Sequence, residues 1–274
     1  MGRGVEYYAR KGLFRDLVSH GRTILARKEL LYSLARKEFK VKYKSAFLGF
    51  LWVVVNPLIQ MVILSVLFIF IVKIKIRNYP AFILTGLVPW SFLAVAVMNS
   101  VDSVVENRNL IKKIYFPREI LPLAVVLSSL ATFFCSLAVL FVLLAFFHVS
   151  FSLHALLLPA VIFLQCLFIA GMALLLSGLN AFYRDVKYLT EAFFIVWFYG
   201  SPIFYSPDMV PARFRSLYFV NPMAGLITIY RDLLLNHRMP DLQLAGAVFV
   251  VGLVVFLLGF SVFQKYERVF ADVL

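Results

Sequence analysis

Cysteine, histidine and acid are all scarce in this chain of 274 residues. Its two cysteines, Cys135 and Cys166, lie inside long apolar runs, and His20, His148, His154 and His237 are scattered over termini and loops. No Cys/His set has metal-ligand spacing, and cysteines so placed read as small core residues rather than a disulfide. Asp and Glu total 14 against 27 Lys and Arg, and the acids are dispersed singly. That leaves no paired carboxylates for acid–base or metal chemistry at a membrane face. A Gly-x-x-x-x-Gly-Lys-Ser/Thr phosphate loop and a dinucleotide fingerprint are both missing. The apolar runs also lack the Asp, Glu or Arg chains of an ion-coupled carrier, Glu191 being the main exception. Uphill movement of any substrate would therefore draw its energy from another polypeptide. No repeat, linker or separate soluble domain is visible. The first 46 residues are polar and basic with no early apolar region, so a cleavable signal peptide is not expected and the first span is expected to act as an uncleaved anchor.

Hydrophobic residues, by contrast, make up 62% of the chain, with 15% charged and a mean hydropathy of +0.90, far from a soluble domain. Six apolar runs, at 47–72, 81–101, 121–147, 153–179, 189–205 and 242–263, approach or exceed the roughly 20 residues a helix needs to cross the hydrocarbon core. The expected fold is an all-α integral membrane protein with a single domain over 1–274. It divides into a cytoplasmic amphipathic region (1–46), a six-span region (47–263) and a cytoplasmic tail (264–274). The formal net charge of +13 raises the question of nucleic acid, and its placement answers it. Alternate loops carry twenty Lys and Arg on one face and seven on the other, with twelve in the first 46 residues. The positive-inside rule then puts both termini in the cytoplasm, and the basic excess reads as orientation and lipid-headgroup attraction.

Local patterns refine the picture. Between residues 23 and 40, Leu30, Leu31, Leu34 and Ala35 recur at helical spacing among Arg27, Lys28, Arg36, Lys37 and Lys40. This is either a basic topology anchor or a movable helix lying in the interface. Asn56-Pro57 puts a kink and a polar side chain inside span one. The 106–119 loop has an apolar stripe, Leu110, Ile111, Ile114 and Tyr115, that a solvated loop would not need. It is expected to form a short helix stopped by Pro117 and to dock a partner protein. The 180–188 loop is a second cytoplasmic contact candidate. The 206–241 segment is apolar at 217–220 and 222–235, so two short re-entrant helices dipping into the outer leaflet are expected there. Arg231 and Asp232 are expected to pair with each other or with headgroups. Aromatics crowd span five, with Phe193, Phe194, Trp197, Phe198, Tyr199, Phe204 and Tyr205. Lipid contact and the interfacial belt explain many of these. The other reading is a sliding surface for sugar rings.

Lys42-Tyr43-Lys44 followed by Ser45, Leu48-Gly49, Trp52 and Asn56-Pro57 resembles the opening signature of ABC-2 type permeases that export polysaccharides. Asn180-x-x-Tyr183-Arg184-Asp185-Val186, Ser201-Pro202-Ile203-x-Tyr205 and Asn221-Pro222 resemble that family's later landmarks, in order, from about residue 25 to the end. The resemblance implies a homodimer of six-span subunits in the bacterial cytoplasmic (inner) membrane, joined by two copies of a cytoplasmic ABC ATPase. It implies no cofactor on this chain, ATP and magnesium belonging to the partner. The substrate implied is a lipid-linked polysaccharide of O-antigen or teichoic-acid type, and Lys42-Tyr43-Lys44-Ser45-Ala46-Phe47 leans towards the O-antigen branch. By the same resemblance Phe50, Trp52, Phe194, Trp197 and Phe198 contact the glycan. Arg36, Lys37, Lys40 and Lys42 would meet the lipid headgroup. Glu106, Arg108, Asn109, Lys112, Lys113, Tyr115 and Phe116 would couple to the ATPase. The rival readings are an ABC-2 exporter of a small drug or lipid and a membrane polyprenyl-phosphate transferase.

Overall fold

The computed structural model describes residues 26–44, 51–211, 213–214, 220–267 and 269–270. Among these, every regular element is helical. Five helices are long and apolar enough to cross a membrane: Trp52–Ile71, Tyr79–Val101, Ile120–Phe146, Leu153–Asn180 and Leu242–Glu267. They coincide with five of the six runs read from the sequence. In chain order the elements are α1 (Lys28–Lys44), α2 (Trp52–Val66, continued by a π-helical turn), α3 (Tyr79–Val101), α4 (Ser103–Glu106) and α5 (Arg108–Lys113). They continue with α6 (Ile120–Phe146), α7 (Leu158–Asn180, entered through a 3₁₀ turn), α8 (Asp185–Tyr199), α9 (Pro222–Leu234) and α10 (Leu242–Glu267).

Burial ranks the helices. The apolar window of α3 is 78% buried and that of the first span only 11%, so α3 is the central stave and α2 stands at the edge. Polar groups on α3 find internal partners, as a helix inside a membrane bundle requires. Gln165 Nε2 on α7 donates to the Pro89 carbonyl at 2.8 Å, and Tyr230 on α9 donates to Gln165 Oε1 at 2.8 Å. The tightest seam joins α7 to α10 through glycine. A Cβ on Gly171 would stand 2.5 Å from the Phe256 nitrogen, and one on Gly259 would collide with the Gly171 carbonyl. Close backbone approach through small residues is the usual means of packing helices in lipid, where apolar burial gives no bias.

The fifth run differs from expectation. Instead of one span over 189–205, α8 has 15 residues and stops at Tyr199. At about 1.5 Å per residue it reaches roughly 22 Å, short of a hydrocarbon core of about 30 Å. Gly200-Ser201-Pro202 breaks it, because a residue before proline is pushed out of the helical region. The chain then runs on irregularly to Phe204, whose carbonyl accepts from the Tyr79 hydroxyl at 2.6 Å.

The apolar segment expected at 222–235 is α9, capped by Asn221, whose Oδ1 accepts from Met223 N at 3.0 Å. The companion segment at 217–220 lies outside the described residues except for the exposed Val220. Arg231 and Asp232 are both buried. Arg231 Nη2 donates to the carbonyls of Phe82 at 3.1 Å and Ile203 at 2.8 Å. Asp232 pairs with Arg238 at 2.8 Å. Gly86 leaves the room this needs, since a Cβ there would lie 3.0 Å from Arg231 Nη2.

At one end of the bundle, four distant segments meet. Lys37 on α1 donates to Asn107 Oδ1 at 3.3 Å, and Asn180 at the end of α7 donates to Asp102 Oδ1 at 3.2 Å. The Arg118 backbone donates to Glu267 Oε1 at 3.1 Å, and its Nη1 donates to the Glu267 carbonyl.

Candidate functional site

Between α2, α3, α6 and α8 lies a cavity of about 560 Å³. Trp52, Asn56 and Gln60 line it from α2; Trp90 and Ser91 from α3; Ser129, Thr132 and Ser136 from α6; Phe194 and Phe198 from α8. Lys42, at the end of α1, stands at its margin. Spacings of three and four put the α6 hydroxyls on one face of that helix. Thr132 and Ser136 each donate to a carbonyl one turn back at 3.3 Å, so their hydroxyls are oriented along the wall. The cavity thus combines flat aromatic faces with a ladder of small polar groups. That suits a ligand having both apolar C–H faces and hydroxyls.

Three of the five glycan-path residues expected from the sequence meet here: Trp52, Phe194 and Phe198. Phe50 lies outside the described residues. Trp197 is not part of the lining. Its ring sits edge-on to Trp90 at 5.6 Å and to Phe168 at 6.0 Å, and its Nε1 donates to Asn221 Oδ1 at 2.8 Å. It is a strut between α8 and the start of α9. Trp90, 5% exposed and 5.6 Å from Phe198, and the α6 hydroxyls escaped the sequence reading. A Ser/Thr stripe at helical spacing in an apolar run was the signal available. Asn56, expected to face protein or water, faces the cavity.

Of the headgroup residues, Arg36, Lys37 and Lys40 are exposed along α1. The apolar residues Leu30, Leu31 and Leu34 pack against a core formed by Ile111, Phe116, Leu121 and Phe263. The helix therefore presents its cations outward, as its pattern implies. Lys42 at the cavity margin is solvent-accessible, yet its apolar surroundings hold its pKa below the ordinary lysine value through desolvation.

The docking loop forms α4 and α5 rather than one helix running to Pro117. α5 ends at Lys113, because Ile114 is extended, with φ −134° and ψ 136°. Pro117 belongs instead to the turn leading into α6, where its carbonyl accepts from Ile120 N. The loop's apolar residues divide in two. Ile111 and Phe116 are buried, whereas Ile114 and Tyr115 project, Tyr115 at 93% exposure. Glu106, Arg108, Asn109, Lys112 and Lys113 are exposed with them. Of the seven coupling residues, Phe116 alone turns inward, anchoring the loop beneath its exposed face.

Asp102, which no local pattern singled out, joins this loop to α8. Lys187 Nζ lies 2.7 Å from Asp102 Oδ2, and Asn180 Nδ2 reaches both Asp102 Oδ1 and the Val101 carbonyl. The hydrogen bond to Asp102 is the leading cause of the raised Lys187 pKa. Glu106 is raised as well, first by desolvation, then by the negative charges of Asp102 and Glu38. The loop is thus tied to α1 through Lys37–Asn107 and to α8 through Asp102–Lys187.

Comparison with known proteins finds a family and named relatives. The family described as ABC-2 type transporter matches residues 29–235. The chain is 34% identical over 247 residues, 90% of its length and 95% of the relative's, to the O-antigen export system permease protein RfbA of Klebsiella pneumoniae. It is 31% identical over 245 residues, 89% of its length and 94% of the relative's, to the protein of the same name from Myxococcus xanthus.

Proposed function

The chain belongs to the ABC-2 type transporter family, and from that premise we propose that it is the membrane subunit of an ATP-driven exporter of lipid-linked polysaccharide. The observation that carries the proposal is the cavity edged by Lys42 and lined by Trp52, Phe194, Phe198 and a hydroxyl ladder, in a chain whose relatives over nine-tenths of its length are O-antigen export permeases. The relatives favour an O-antigen polymer over a teichoic acid.

In this reading two copies of the subunit sit in the bacterial inner membrane with both termini cytoplasmic. Six crossings are supported by the meeting of α1, the 102–119 loop, the end of α7 and the end of α10 at one end of the bundle. Five crossings would leave the two chain ends apart. The sixth is discontinuous, made of α8 and the irregular backbone to Phe204, and irregular backbone at depth is tolerated where it is buried in protein or lines a path.

Two copies of a cytoplasmic ABC ATPase dock on the exposed face of the coupling loop, with Tyr115 as its projecting knob and Glu106, Arg108, Asn109, Lys112 and Lys113 around it. ATP and magnesium bind there, on the partner. Movement of the loop passes through Lys37–Asn107 to α1, which reaches the cavity's margin, and through Asp102–Lys187 to α8, which forms one of its walls. The exposed cations Arg36, Lys37 and Lys40, with Lys42 at the margin, attract the anionic lipid end, and the sugar chain then slides over rings and hydroxyls. Trp197 acts through Asn221, holding α8 to α9 rather than touching the glycan.

The test is export in a strain that makes the polymer but lacks its own exporter, given this subunit and the cognate ATPase. Surface polysaccharide should appear, the ATPase should co-purify, and Trp52→Ala should lower export several-fold with assembly intact. Polymer retained inside despite an assembled complex would overturn the proposal.

A further inference from the structure

The opposite end of the subunit holds a second cavity, of about 770 Å³, which the proposed path does not use. Four segments distant in sequence build it: 76–78 before α3, 148–150 after α6, 206–208 after α8, and the last turns of α9 with 235–238. Its walls are chemically mixed. Arg77, Arg231 and Arg238 contribute guanidinium groups, Asp208 and Asp232 carboxylates, and His148 and His237 imidazoles.

The wall is also held in place. Buried Asp232 accepts from Arg238 Nε at 2.8 Å and from Asn236 Nδ2 at 2.9 Å. Ser150 Oγ lies 3.0 Å from His237 Nε2 and fixes that ring. The other ring nitrogen, Nδ1, is shielded from solvent and has no hydrogen-bond partner among the described residues. Asn78, His148 and His237, all in this lining, hold left-handed backbone, with φ of 50°, 56° and 51°. Residues with a Cβ rarely adopt that conformation, and it concentrates where the surrounding structure builds a site.

We propose that this cavity is a saccharide-binding site on the outer face of each subunit, taking hold of the polymer as it leaves; the inference rests on the glycan-export reading. Each sugar hydroxyl both donates and accepts, so its recognition needs donors and acceptors interleaved. The two carboxylates accept, the guanidinium groups donate, and imidazole does either. A phosphate would engage the guanidinium groups but offer the two carboxylates few donors. A metal ion fits no better, since no three of the His, Asp, Glu and Cys side chains converge among the described residues. Ile76 and Val149 supply apolar wall for the C–H face of a ring. The volume is within the usual range for small-ligand sites. Bound here, the emerging chain is held against slipping back while the next segment enters.

The probe is a set of oligosaccharides released by mild acid from the exported polymer, offered to the subunit–ATPase complex in nanodiscs. Binding is followed by saturation-transfer NMR, with inorganic phosphate as competitor. Wild type should bind the oligosaccharide, and phosphate should fail to displace it. Arg77→Ala and Asp208→Asn, on exposed loops where folding is not at stake, should each weaken binding about tenfold, the effect of roughly one strong hydrogen bond lost. Unchanged affinity in both variants, displacement by phosphate, or no binding by wild type would each overturn the site. Export by the unmodified subunit is measured in parallel. Its absence defeats the glycan-export reading, whereas export without oligosaccharide binding defeats the site alone.

Discussion

Asn221 is the residue on which the start of α9 depends, and its removal can be worked through bond by bond. Oδ1 caps α9 through Met223 N at 3.0 Å and accepts from Trp197 Nε1 at 2.8 Å. Nδ2 donates to Ser201 Oγ at 3.1 Å and to the Gly200 carbonyl at 3.3 Å. Loss of an asparagine cap costs about 1 kcal/mol. Side-chain hydrogen bonds between helices in membrane proteins average about 0.6 kcal/mol and reach about 1.7. Asn221→Ala should therefore cost about 2 to 3 kcal/mol in wild type. In a Trp197→Phe background the indole donor is already gone, so the same change should cost about 0.6 to 1.7 kcal/mol less. The assay is reversible SDS unfolding of the four proteins in mixed micelles, followed by far-ultraviolet circular dichroism. Equal penalties in the two backgrounds would refute the Trp197–Asn221 link and with it the view of Trp197 as a strut.

Other expectations are more compact. Neutralising Arg36, Lys37 and Lys40 together removes about 3 kcal/mol of headgroup attraction, at about 1 kcal/mol each; export should fall steeply while dimer assembly, read by size-exclusion chromatography, persists. Glu106 has a raised pKa, so its charged form destabilises the fold above that value, and the penalty is relieved as pH falls through it. Glu106→Gln should accordingly raise the melting temperature near neutral pH, with the advantage shrinking on acidification towards the ordinary glutamate value of 4.5; an advantage that grows on acidification would contradict the assignment. Gly171→Ala gains up to about 1 kcal/mol of helix propensity but places a Cβ 2.5 Å from the Phe256 nitrogen. Overpacking of that kind costs about 1 to 3 kcal/mol, so a net loss of thermal stability is expected in detergent.

Five spans were legible because each is an unbroken apolar run, and their ends fell within a few residues of expectation. α1 was legible from the periodicity of Leu30, Leu31, Leu34 and Ala35. The fifth run misled because apolarity continues through Gly200 and Pro202 although the helix does not; hydropathy responds to side chains, while the break is a backbone event. Ile111 looked like part of a docking stripe, and the resemblance placed Phe116 among the coupling residues, because neither reveals which side chains meet the protein's own core. Asp102, Asn180 and Lys187 are far apart in sequence and unremarkable singly, so their junction exists only in three dimensions. The same holds for Gln165 and Tyr230, and for the cavity built by Arg77, His148, Asp208 and His237. Trp52, Phe194 and Phe198 could be nominated early because a resemblance supplied a role that spacing alone did not.

The glycine seam has a mechanical corollary. With Gly171 and Gly259 in near-contact, neither helix can slide or rotate against the other without backbone collision, so α7 and α10 behave as one beam. Compliance must then reside elsewhere, chiefly in the sparsely buried first span and the interrupted fifth. A pair of spectroscopic labels across the beam should report a fixed separation through the whole nucleotide cycle, while pairs on α2 and α8 register the stroke.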